Sequence, residues 1–183
     1  IGNYLRTYPQ YDNWTPKNSD GKYGGVYTME GALSQSINTI SVNLTVRLGS
    51  KNVAQMAQDL GISDEVPAAP AIALGAHEAS LLDMVTVYST FANRGKRPAL
   101  YYIRRIETAR GELVYQNWID RQEWQQPLTQ ENADIMTHLL RAAVDKGTGR
   151  RLRHRYHFTN EIAGKTGTSQ NHADGWFIGY TPT

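Results

Sequence analysis

The 183-residue sequence predicts a mixed α/β fold of the α+β type, with its strands late in the chain and its helices gathered in two blocks. Three observations point there. Apolar residues recur at helical spacing through 29–94 and again through 129–145. Two short β-rich runs separated by a turn lie near 100–118. A run of small residues, Gly164 to Ser169, is followed across a polar turn by the apolar "GWFIGY". A chain that groups its helices and its strands in this way builds helices against an antiparallel sheet.

Each element follows in order. Residues 1–28 are rich in Tyr, Asn, Asp, Gly and Pro and read as a loop-rich entry with turns at "NWTPKNSDGKYGG". From Met29 the pattern is helical. Ile40, Leu44 and Leu48 recur every four residues, flanked by Val42 and Val46, until Gly49 stops the run. A second helix is expected over Lys51 to Leu60, with Gly61 as its C-terminal cap. The proline-broken "VPAAPAIALG" connects to a third. Ser80 and Asp83 form a capping box there, Leu81, Leu82, Val85, Tyr88 and Phe91 are its expected buried stripe, and Gly95 ends it. "LYYIRRIET" and "ELVYQNW" read as a hairpin within 100–117. Thr129 is expected to cap a helix reaching Val144, with Glu131 in its first turn. "KGTG" ends that helix, the basic "RRLRHRYH" follows, and the last strand pair surrounds Lys165 and Trp176.

Composition excludes several classes. The net charge of +2 is too small a bias to argue nucleic acid. With no cysteine there is neither a disulfide framework nor thiolate chemistry, and the five histidines show no ligand spacing, so no metal and no cofactor is expected. No apolar run approaches the roughly 20 residues of a membrane span.

Two stretches carry possible chemistry. In "GKTGTS", Lys165 stands among residues that offer a strand almost no packing bulk. A solvent-facing lysine at a strand end is the plain reading. The chemical reading is that Gly164 and Gly167 clear the strand for another backbone, while Lys165 presents a cation to a carboxylate or a proton-transfer group. In "QSINT", Ser36 or Asn38 can cap the helix beginning near Thr39. Residues two apart on a helix do not share a face, so Ser36 and Asn38 address one cleft only where the chain breaks from helix. Both readings stay open on this ground.

Together, Ser36-x-Asn38 and the distant Lys165-Thr166-Gly167 match the motif grammar of penicillin-recognising serine acyltransferases, whose remaining element is Ser-x-x-Lys. "GVYTMEGALSQSINTISVNL", "LGAHEASLLDMVTVYSTFANRG", "GELVY", "LLRAAVDKGTGRRL" and "AGKTGTS…DGWFIGYTP" resemble, in order, the transpeptidase domain of class A penicillin-binding proteins. The resemblance implies an antiparallel sheet flanked by helices in the penicillin-binding protein and serine β-lactamase manner. It makes the 183 residues the central and C-terminal part of one domain, incomplete at both ends, divided into 1–28, 29–95, 100–117 and 129–183. It implies a D,D-transpeptidase that cross-links peptidoglycan stem peptides through a serine acyl-enzyme and is inhibited by β-lactams. Ser36 would relay a proton towards the leaving amine, and Asn38 would bind the substrate's peptide group. Lys165, Thr166 and Gly167 would form the third motif, with Ser169 beside them, and the Thr168 backbone N–H would serve the oxyanion hole.

The nucleophile motif has one match in the letters, Ser19-Asp20-Gly21-Lys22, in a glycine-rich turn where no helix aligns the lysine. The expectation is therefore that the nucleophile lies in an upstream part of the same domain, and that this chain alone takes no covalent penicillin. A glycosyltransferase domain and a membrane anchor are expected outside these residues, which places the protein on the extracytoplasmic face of the bacterial plasma membrane. Two alternatives remain: a β-lactam sensor or hydrolase of the same fold, and a non-catalytic peptidoglycan-binding module. The basic stretch from Arg150 to Arg155 reads as a solvated, charged loop.

Overall fold

The computed structural model describes residues 1–118, 124–169 and 175–182, and holds two separate antiparallel strand pairs, the later of which is packed by helices. The elements in chain order are α1 (Met29–Ser34), α2 (Asn38–Leu48), α3 (Ser50–Leu60), α4 (Leu81–Ala92), β1 (Arg105–Glu107), β2 (Leu113–Gln116), α5 (Gln130–Asp145), α6 (Arg151–His154), β3 (Ala163–Thr168) and β4 (Gly175–Tyr180). β3 runs antiparallel to β4, with Lys165 opposite Ile178 and Thr166 opposite Phe177.

The main core joins α3, α4 and α5 to β3. Leu60, Phe91, Leu140 and Ala163 are buried together, with Tyr88, Met136 and Tyr180 packed against them. A smaller core under the N-terminal third holds Ala32, Ile37 and Ile40, backed by Ile1, Tyr27 and Leu44. The stripe expected on α2 fades along the helix: Ile40 is buried, Leu44 half-buried and Leu48 exposed.

α4 departs further from expectation. Its capping box is present, with Ser80 and Asp83 bonded reciprocally. Its buried face, however, is Asp83, Thr86, Thr90 and Phe91, while Leu81, Leu82 and Val85 are exposed. The threonines can be buried because each hydroxyl donates to a carbonyl one turn back, Thr86 to Leu82 at 2.8 Å and Thr90 to Thr86 at 2.9 Å. Thr86 turns its methyl to Gly61, where an added Cβ would lie 2.5 Å from it. The missing Cβ lets the end of α3 approach α4.

The hairpin is shorter than its two sequence runs, reduced to 105–107 and 113–116 with an irregularity between Ile106 and Glu107. The basic stretch also differs from a plain loop. It forms α6, and Arg153 pairs with Asp145 at 2.8 Å and donates to the carbonyls of Phe158 and Asn160. Those bonds tie the segment leading to β3 back to the end of α5.

The loop-rich entry is pinned rather than wandering. Asn3 Oδ1 accepts from Asn18 Nδ2 at 2.8 Å and from the Thr39 hydroxyl at 2.7 Å, and Asn18 Nδ2 also donates to the Lys22 carbonyl. Trp14 packs near Tyr8, which makes it a loop anchor.

Candidate active site

The site is built where α1 gives way to α2. Ile37 N–H bonds to Ala32 O at 3.0 Å and Ser36 N–H to Leu33 O at 3.1 Å, a Schellman ending in which Ser36 holds the position usually given to glycine. Ser36 accordingly has φ +54°, a left-handed conformation that costs a side-chain-bearing residue about 1 kcal/mol. The accompanying apolar contact is present, since Ile37 and Ala32 share the smaller core.

α2 then begins at Asn38, and neither Ser36 nor Asn38 caps it. Its N-cap, Ile37, supplies no side-chain bond. The cap comes from the entry loop, where Asn18 Oδ1 accepts from Thr39 N–H at 3.1 Å. This corrects the capping alternative and explains how both motif side chains stay available. Asn38 Nδ2 donates to the Lys17 carbonyl at 2.9 Å, and no described group donates to its Oδ1.

Opposite stands β3. The Lys165 ammonium donates to the Ser36 hydroxyl, although 129 positions separate the two residues. It also donates to Thr166 O at 3.0 Å and lies 3.4 Å from the Thr148 hydroxyl. Burial pushes the pKa of half-buried Lys165 down, because the charged form loses hydration. Along β3 the chain passes from buried Ala163 and Gly164, through half-buried Lys165 and Thr166, to exposed Gly167 and Thr168, with Ser169 exposed beyond.

The glycines of β3 do different things. A Cβ on Gly164 would lie 2.5 Å from the Phe177 ring, so that position is bare because β4 fills it. A Cβ on Gly167 would meet nothing closer than the Trp176 Cβ at 3.9 Å, so that position leaves open space at the strand's exposed end. Trp176, on β4, is 60% exposed.

Thr148 is the residue that sequence reasoning passed over. It lies in "KGTG", read only as a helix ending, yet its hydroxyl is 2.6 Å from that of Thr166. Its N–H bonds to Ser34 O at 2.9 Å, and Gly147 sits so close that a Cβ would meet Ser34 O at 2.2 Å. The turn after α5 is thereby docked on the last turn of α1, two residues before Ser36. Glu30 reinforces the junction by pairing with Lys146 and His138. Hydrogen bonds from Lys146 first, then His138, hold its carboxyl below the usual range.

Ser19 and Lys22 lie in a turn closed by Gly21 N–H to Asn18 O, not on a helix. Among the described residues no three His, Cys, Asp or Glu side chains come together as metal ligands, and no helix is long and apolar enough to cross a membrane.

Residues 2–183 match the penicillin-binding protein transpeptidase domain. The chain belongs to that family. It is similar to penicillin-binding protein 1A of Neisseria lactamica, with 35% identity over 95% of this chain and 22% of that protein. To the protein of the same name from Aquifex aeolicus it is 34% identical, over 95% of this chain and 24% of the other. The chain thus spans less than a quarter of these relatives. Penicillin-binding protein 1A from Haemophilus influenzae superposes with a TM-score of 0.88 at 23% identity, over 98% of this chain and 32% of that one. PonA1 from Mycobacterium tuberculosis superposes at 0.82 and 22% identity, over 99% of this chain and 51% of the other. These likenesses agree with the mixed helix and antiparallel-sheet fold read from the sequence.

Proposed function

We propose that these residues form two of the three catalytic elements of a peptidoglycan D,D-transpeptidase. The observation that carries the reading is the bond from the Lys165 ammonium to the Ser36 hydroxyl, which brings together two motifs distant in sequence. A serine outside these residues, one turn before its lysine base, attacks the carbonyl of a stem peptide's penultimate D-Ala. The ester forms, the terminal peptide bond breaks, and the departing D-Ala nitrogen receives a proton through Ser36, backed by Lys165. An amine of a second stem then displaces the enzyme's serine and completes the cross-link. Asn38 holds the donor peptide's amide group. Thr166, Gly167 and Ser169 line the strand along which the donor lies, and Thr168 N–H supplies one oxyanion donor.

Several features support this reading. Lys165 is polarising without being solvent-flooded, and its lowered pKa brings proton transfer closer to neutral pH. Ser36 keeps a strained backbone that glycine would relieve, as side chains held for chemistry often do. A β-lactam enters as a mimic of the acyl donor, and a PonA1 structure is described in complex with penicillin V. By the same reading the nucleophile, a membrane anchor and a glycosyltransferase domain belong to the longer protein, on the outer side of the plasma membrane. The chain by itself then takes no covalent penicillin.

The test is Lys165→Ala in the complete protein, measured by the rate of labelling with a fluorescent penicillin. The expected result is a loss of at least about 100-fold, the scale of removing one donor aimed at developing charge. An unchanged labelling rate overturns the assignment.

A further inference from the structure

The protons around Lys165 can be counted. An ammonium has three N–H donors and no acceptor. The three nearby acceptors are Ser36 Oγ, Thr166 O at 3.0 Å and Thr148 Oγ1 at 3.4 Å. Thr148 is therefore on the accepting side of a charged donor, which makes its own O–H a stronger donor. Its partner at 2.6 Å is the Thr166 hydroxyl. With Thr148 donating there, the Thr166 oxygen is engaged as an acceptor and its own proton is free for another acceptor.

We propose that Thr148 is a positioning residue that orients the Thr166 hydroxyl as a donor to an anionic group of the acyl donor. One ammonium then polarises two hydroxyls: Ser36 directly, and Thr166 through Thr148. The ligand chemistry this suits is a carboxylate beside the scissile bond, as in a stem peptide's C-terminus or a penicillin. The docked turn gives the arrangement its rigidity, because Thr148 N–H is bonded to Ser34 O and Gly147 leaves no gap there. Ser36 and Thr148 thus share one support, the α1–α5 junction, and Lys165 and Thr166 bond to them from β3. The proposal rests on the transpeptidase reading above.

The experiment compares the complete wild-type protein with Thr148→Val, Thr148→Ala and Thr148→Ser. Each is titrated with a fluorescent penicillin carrying its free carboxylate and with the methyl ester of the same compound, and each melting temperature is recorded. Thr148→Val and Thr148→Ala should lose about tenfold in the second-order acylation constant for the acid, an exposed hydrogen bond's share. Both should stay within about twofold of wild type on the ester, where no anion awaits the donor. Thr148→Ser, which keeps the hydroxyl, should restore the acid rate to within about threefold of wild type. Equal losses on acid and ester, an undiminished acid rate, or failure of both Thr148→Val and Thr148→Ala to fold overturns the proposal, since the role would then be structural or nil. If wild type itself takes no penicillin, the transpeptidase reading fails and this inference falls with it.

Discussion

Two polar clusters meet on either side of Ile37, and they are built to opposite rules. Asn3, Asn18 and Thr39 are each less than a tenth exposed, and their amide and hydroxyl groups are spent on one another and on the backbone. Ser36, Lys165, Thr148 and Thr166 form a chain of hydrogen bonds that ends at the open side of β3. A buried polar group stabilises a fold only when its bonding capacity is met, because an orphaned one costs about 1–3 kcal/mol. The first cluster obeys that requirement. The second is at most half-buried and lies beside the exposed end of β3, where an arriving ligand can reach it. The comparison separates support from chemistry within a few residues of chain.

The largest stability effect should come from breaking the closed cluster. Asn18→Ala strands Asn3 Oδ1 of one donor and uncaps Thr39 N–H, both in a buried site, and leaves the Lys22 carbonyl with only the longer bond from Asn3 Nδ2. A loss of about 2–3 kcal/mol is expected in chemical denaturation. A change below about 0.5 kcal/mol would show that the network contributes little.

Ser36 sharpens the contrast because it belongs to the open cluster while its backbone belongs to the support. Its φ of +54° suits glycine and penalises alanine. Ser36→Gly should therefore be more stable than Ser36→Ala by about 1 kcal/mol, although both lose the hydroxyl and with it penicillin labelling. Equal melting temperatures for the two would mean that the left-handed turn relaxes when the side chain goes.

The smallest effect concerns pH. Burial places the folded pKa of Lys165 below its ordinary value of 10.5. Between the depressed value and 10.5 the unfolded chain holds a proton that the folded chain has released, so stability rises with pH across that window. Below it the full desolvation penalty persists. Lys165→Met should flatten the rise when melting temperature is followed from neutral pH to about 10.5, and an unaltered slope would assign the rise to other groups.

What was legible in the sequence divides along the same line. Most of the helical residues, the β3–β4 pair and the motif residues were readable because periodicity, Gly stops and small-residue runs are local, whereas α6 formed in a stretch read as a loop. The support was not. The cap of α2 comes from Asn18, 21 residues before the N–H it accepts, so Ser36 and Asn38 looked like the capping candidates. On α4 the expected Phe91 and Tyr88 do reach the core, but Leu81, Leu82 and Val85 do not; threonine counts as polar in a pattern, whereas Thr86 and Thr90 are buried by returning their hydroxyls to their own helix. Gly164 looked cleared for a ligand, but the space is taken by Phe177 across the strand pair. Thr148 was hidden in a helix-ending turn, and only the docking of that turn on Ser34 brings it to Lys165. The one local hint was a threonine between two glycines, in a turn with no other side chain to spare.

The central claim is that the closed cluster supports and the open cluster acts. It is tested most directly by the penicillin acylation rate per folded molecule, measured on the complete protein for Asn18→Ala and Lys165→Ala side by side. Asn18→Ala should melt several degrees lower yet label, at a temperature where it remains folded, within about threefold of wild type. Lys165→Ala should keep a melting temperature close to wild type and label at least about 100-fold more slowly. The contradicting result is the reverse pattern, or two variants that lose stability and labelling in parallel.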